Sequence, residues 1–166
     1  MAIIMGRSGP MSRTAGGGTT KLDLASQGAA NPIQLLGAQD SLAVFAVDSE
    51  AHEMVPLQQI GPNREKMARA VRRIQSLGGG IFVYAGLRAG WEAVKKSEVG
   101  QRHLILFADA ADAEEPGEYK SLLEDIRKDG GTVSVIALGT RGDPDAMLLD
   151  DIASRGGGRL FFTDQP

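Results

Sequence analysis

Apolar residues in this chain gather in short dense runs, separated by segments in which they recur every three or four positions. Ala2 to Met5, Leu42 to Val47, Leu104 to Phe107, Val133 to Leu138 and Leu160 to Phe162 are near-continuous, the pattern of strands covered on both faces. His52 to Leu57 follows the second run across the turn Asp48-Ser49-Glu50, so these two predict a hairpin. Between the runs lie helical patterns. One begins near Lys21, with Thr19 or Thr20 able to cap it, and carries Leu22, Ala25, Ala29, Ile33 and Leu36 at helical spacing. Pro32 falls inside it and predicts a kink or a weakened turn before Gly37 closes the helix.

Pro62-Asn63 opens a helix expected to reach about Leu77, with Met67, Val71 and Ile74 inward and Arg64, Lys66, Arg69, Arg72 and Arg73 mostly outward on a solvated face. After Gly78-Gly79-Gly80, the spacing of Tyr84, Leu87, Trp91 and Val94 predicts a helix that starts just past Ile81 and runs to Lys96. Tyr119 to Lys128 and Pro144 to Ser154 predict two more. Strands alternating with helices imply an α/β fold. The expectation is a doubly wound, mostly parallel sheet of about six strands, with one antiparallel edge strand and helices on both faces.

At 166 residues the chain is long enough to bury one core, and it is read as a single domain over residues 1–166. Met1 abuts the first strand, which predicts a domain cut from a longer protein. A net charge of −3 argues against nucleic acid as a partner. With no cysteine there are no disulfides and no thiolate metal sites, and the compartment stays open. No apolar run approaches bilayer length, and no basic segment leads into a long apolar one. The segment therefore reads as soluble, without a signal peptide.

In a doubly wound sheet the loops after parallel strands share one edge, where such folds bind ligands. Three are of interest here: Gly6 to Ser12, Gly78 to Phe82 and Asp109 to Gly117. They offer hydroxyls from Ser8 and Ser12, a guanidinium from Arg7 and carboxylates from Asp109 and Asp112. Such hard oxygens suit Mg²⁺ or Ca²⁺, though one carboxylate and a hydroxyl make a weak site. Nucleotide motifs fail on order: Gly6 and Gly9 do not lead straight into a helix, and Gly16-Gly17-Gly18-Thr19-Thr20-Lys21 inverts the Lys-Ser/Thr order of a phosphate-binding loop. His52 falls in the predicted edge strand and His103 at the start of a central one, away from the binding edge. Each reads as a satisfied or solvent-facing histidine, and no base neighbours Ser8 in sequence.

The order of these pieces resembles the von Willebrand factor type A domain almost end to end. The resemblance rests on Met5-Gly6-Arg7-Ser8-Gly9-Pro10-Met11, Lys21 opening the first helix, Asp40-Ser-Leu-Ala-Val-Phe, Val55-Pro56-Leu57 and Gly78-Gly79-Gly80. It continues through Leu104 to Asp109, Val133 to Gly139 and Ile152 to Phe161. It is strongest for the bacterial type found in larger membrane proteins with a BatA-like or glutamine-amidotransferase-like arrangement. That likeness implies a parent attached to a bacterial membrane through segments outside this chain.

The family's metal-ion-dependent adhesion site has the pattern Asp-x-Ser-x-Ser in the first loop, a Thr in the second and an Asp in the third. The resemblance puts Gly6, Ser8, Pro10, Ile81 and Asp109 at those positions, so three of five oxygen-bearing side chains are missing. It implies a non-enzymatic interaction module with a degenerate metal site, binding an unidentified protein partner through Arg7, Ser8, Ser12, Asp109 and Asp112. No cofactor is expected. A weakly held Mg²⁺ on Ser8 and Asp109, completed by a partner's carboxylate, is the alternative, and a Rossmann-like nucleotide-binding or enzymatic domain is the rival from another class.

Overall fold

The structure is a computed structural model that describes residues 1–12, 14, 17–76, 81–97, 100–111, 113 and 118–163, with Pro10 described in its backbone only. Six strands form one sheet: β1 (Ala2–Gly6), β2 (Ser41–Val47), β3 (Ala51–Gln59), β4 (His103–Asp109), β5 (Thr132–Leu138) and β6 (Gly157–Phe162). Their order is β3-β2-β1-β4-β5-β6. Every pairing is parallel except β2 with β3, the predicted hairpin. The helices are α1 (Lys21–Leu35), α2 (Arg64–Arg72), α3 (Val83–Val94), α4 (Tyr119–Lys128) and α5 (Ala146–Arg155).

The expected doubly wound α/β architecture is therefore what the chain adopts. β1 lies between β2 and β4, at the point where the chain's winding reverses, and all five of its residues are buried. Helices cover it from both sides. A Cβ placed on Gly28 of α1 would sit 2.8 Å from the Phe107 ring, and one on Gly86 of α3 would sit 2.7 Å from Ile4. The two helices thus approach opposite faces of the sheet closely enough that only glycine fits at the contact.

Four local expectations are corrected. Pro32 neither breaks nor shortens the first helix: α1 runs through it and ends three residues later, where the Leu36 N–H bonds the Pro32 carbonyl at 2.9 Å. The missing proline N–H leaves the Gly28 carbonyl without its ladder donor, and the helix continues past that one lost bond. Arg64 does not point outward. Its guanidinium donates to the carbonyls of Ile33 and Leu36, satisfying the exposed end of α1 as a cation at a helix C-terminus does.

The helix after Pro62-Asn63 is also shorter than the periodicity predicts. It stops at Arg72, Ile74 is buried beyond it, and Ser76 is tied through its hydroxyl to the Ser8 carbonyl. Those anchors draw the chain toward the first loop instead of prolonging the helix; Leu77 and Gly78–Gly80 lie outside the described residues. Likewise α3 ends at Val94 and not at Lys96.

Candidate functional site

β1 and β4 end side by side at the winding reversal, with Gly6 closing one and Asp109 the other. Asp109 is the last residue of β4 and not part of the following loop. Its side chain is 0% exposed. A bare carboxylate at such depth would be costly, so its partners matter. Oδ1 accepts the Ala111 N–H at 2.8 Å and the Lys21 ammonium at 2.7 Å. Oδ2 has no hydrogen-bond partner among the described residues.

Lys21 reaches Asp109 from the first turn of α1. A capping box fixes that turn: the Thr20 hydroxyl accepts the Asp23 N–H and the Asp23 carboxylate accepts the Thr20 N–H, both at 3.0 Å. Lys21 was legible in the sequence only as the residue that opens the helix. The signal for more was its register: it lies four residues before Ala25, on the stripe that Ala25, Ala29 and Ile33 bury.

The loop after β1 folds tightly over this point. Arg7 donates its N–H to the Val47 carbonyl, and the Met11 N–H bonds the Ser8 carbonyl in a short 3₁₀ turn, Gly9–Ser12. Ser8 is fully buried, and its hydroxyl has no partner among the described residues. Ser12 is exposed, its hydroxyl bonded to the Gly9 carbonyl at 2.7 Å.

Arg7 does not present a free guanidinium. Its side chain is 12% exposed and pairs through Nε and a terminal nitrogen, each at 3.1 Å, with the carboxylate of Asp48 at the end of β2. His52 bonds the other Asp48 oxygen at 3.1 Å, because the hairpin brings the start of β3 back to the edge. Burial pushes the Asp48 carboxyl up, but the Glu50 N–H, His52 and Arg7 together outweigh it and hold it below the ordinary carboxylate value. This Arg7–Asp48–His52 group escaped the sequence reading, which placed Asp48 in a turn and His52 in a strand without joining them.

Of the second loop, only Ile81 and Phe82 are described, and Ile81 is fully buried. A Cβ on Gly6 would lie 2.4 Å from the tip of Ile81 and 3.1 Å from the Phe107 carbonyl. The missing side chain at one position and the bulky one at the other therefore fit together. Asp112 and residues 114–117 of the third loop lie outside the described residues, while Ala113 is held by the Asp145 carboxylate at 3.0 Å. That contact brings the connection after β5 into the edge, a fourth segment the sequence reading did not include.

The family model for the von Willebrand factor type A domain matches residues 1–111, which contain β1, β4, the loop after β1 and the start of α1. The chain belongs to the von Willebrand factor type A family. No curated protein matches it. Among solved structures, BatB from Bacteroides thetaiotaomicron is similar at 14% identity and a TM-score of 0.83, covering 99% of this chain and 90% of that one. A von Willebrand factor type A protein from Catenulispora acidiphila aligns at 22% identity and a TM-score of 0.83, over 99% of this chain and 38% of its own. Proximal thread matrix protein 1 of the mussel byssus, solved with a zinc-occupied metal-ion-dependent adhesion motif, aligns at 18% identity and a TM-score of 0.76, over 98% and 40%. At these identities the likeness shows the fold.

Among the described residues the edge of this von Willebrand factor type A domain offers a divalent ion few side-chain oxygens. Such ions want six or more hard oxygens, with negative charge among them. Gly6 and Ile81 bring none, the Ile81 side chain fills the room beside Gly6, and one oxygen of Asp109 already faces an ammonium. Among the described residues no three His, Asp or Glu side chains cluster as metal ligands would. No helix among them is long and apolar enough to cross a membrane.

Proposed function

We propose that this domain is a non-enzymatic protein-interaction module that takes a partner at the edge formed by residues 6–12, the start of α1 and residues 109–111 and 113, without a divalent ion. The observation that carries the reading is the Lys21–Asp109 pair, which neutralises from within the chain the one carboxylate buried at the edge among the described residues. Membership of the family supports the interaction role, since these domains generally bind proteins. The chemistry of the side chains argues against catalysis. His52 is committed to Asp48 and His103 faces the Thr132 hydroxyl, so neither is placed to activate Ser8. Attachment of a longer parent to a bacterial membrane belongs to the same proposal and rests on the resemblance to the bacterial type.

Of the residues expected from sequence to meet a partner, Asp112 lies outside the described residues. Ser8 and Asp109 are buried and shape the edge from beneath; Ser12 is exposed, and Arg7 is partly so. The test is affinity capture with the wild-type chain and with Ser12→Arg, each in Mg²⁺ and in a chelator. Binding that survives chelation and drops with Ser12→Arg supports the proposal. Binding that disappears with the chelator, or that ignores Ser12→Arg and Arg7→Glu alike, overturns it.

A further inference from the structure

A lysine in the first turn of a helix sits at the wrong end of the helix dipole, where the free N–H groups already carry positive character. Here the position is nonetheless built firmly. The capping box fixes the turn, and the inward stripe of α1 carries Lys21 over the sheet. Two helical turns further on, Gly28 rests against Phe107, and Phe107 and Asp109 share one face of β4. The same docking of α1 that seats Gly28 therefore brings the ammonium to Asp109.

We propose that the Lys21 ammonium is the resident cation of this edge, a positive charge tethered to the chain that takes the place of a divalent ion. Three observations converge on it. Charge balance comes first: one buried carboxylate is neutralised by one ammonium, whereas a divalent ion on Asp109 alone would leave a net positive charge beside a helix N-terminus. The second is space, since Ile81 fills the volume that a carboxylate-bearing side chain at position 6 would need. The third is what remains unpaired. Ser8 Oγ and Asp109 Oδ2 are both buried without a partner among the described residues, so the site keeps two oxygens of a larger set while the charge comes from lysine. Among those residues Asp109 is the one acceptor of the Lys21 ammonium.

The inference rests on the proposed reading of this edge for its functional meaning: the surface is set by the fold and is not switched by metal supply. Its test involves no partner, so a failed capture experiment and a failed cation substitution are separate results. In the wild-type chain, reductive methylation read by peptide mass spectrometry should modify Lys21 about fivefold or more slowly than exposed Lys66, because an amine in a closed pair reacts only through its open population. Asp109→Asn should bring Lys21 up toward the rate of Lys66.

Binding of Mn²⁺, followed by electron paramagnetic resonance, supplies the second arm. Gly6→Asp with Ile81→Thr restores two oxygen-bearing side chains, and adding Lys21→Ala removes the competing cation. The triple variant should bind Mn²⁺ about tenfold or more tightly than the double variant that keeps Lys21. Equal labelling of Lys21 and Lys66 in the wild type overturns the proposal, as does equal Mn²⁺ affinity in the two variants. Should the variants fail to fold, the labelling comparison decides alone.

Discussion

Replacing Lys21 with methionine keeps the apolar stem of the side chain and removes only its charge. The pair it breaks has one member at 0% and the other at 14% side-chain exposure, with 2.7 Å between them. Removing one partner of a buried pair costs about 3–5 kcal/mol, since the remaining charge is left uncompensated. Against this, taking a cation off a helix N-terminus returns about 0.3–1 kcal/mol. The net expectation is a loss of about 2–4 kcal/mol, which in a domain of this size lowers the melting temperature by roughly 5–15 °C. Urea unfolding at pH 7 measures it directly. Adding Asp109→Asn should recover most of the loss, because the buried charge goes while an oxygen remains for the Ala111 N–H. A loss below about 0.5 kcal/mol for Lys21→Met, or a double variant as unstable as the two single losses added together, would refute the reasoning.

Other outcomes follow from the same structure. Gly6→Ala should cost about 1–3 kcal/mol through contact with the Ile81 tip and the Phe107 carbonyl, and Ile81→Val, which removes that tip, should make the double variant more stable than additivity predicts in urea unfolding. Thr20→Ala should cost about 1 kcal/mol by removing the capping box, and should also speed the labelling of Lys21. The depressed Asp48 carboxyl adds stability that is complete above its unfolded value near 4 and is lost as pH falls through its lower folded value; Asp48→Asn should flatten that part of an acid-unfolding curve. Burial first, and the nearby Met1 ammonium second, hold His103 below its usual value despite the bond to Thr132. The unfolded chain therefore takes up a proton more readily, so stability should fall as pH drops below about 6.5, and thermal melts of His103→Gln should show a smaller drop.

The fold was legible because it depends on local pattern. Buried parallel strands must be apolar on both faces, and runs such as Leu42 to Val47 and Leu104 to Phe107 satisfy little else. Misplaced boundaries arose where a tertiary contact decided the end of an element. Arg64 turned inward to the carbonyls of α1, and the chain beyond Arg72 followed Ile74 and Ser76 toward the first loop. The edge was legible as a place, since sheet topology alone brings Gly6 and Asp109 together. What fills it was not. The Lys21–Asp109 pair spans 88 positions, and the Arg7–Asp48 pair 41, so no window of sequence contains either. The fit of Ile81 beside Gly6 is hidden in the same way, because each residue taken alone is only an oxygen lost.

Whether this edge needs a metal ion is tested most directly by a calorimetric titration of the wild-type chain with Mg²⁺ and Mn²⁺. The expected result is no submillimolar binding and the same heats for wild type and Asp109→Ala. Submillimolar binding that vanishes in Asp109→Ala would show that an ion displaces Lys21 from the carboxylate, and would contradict the account.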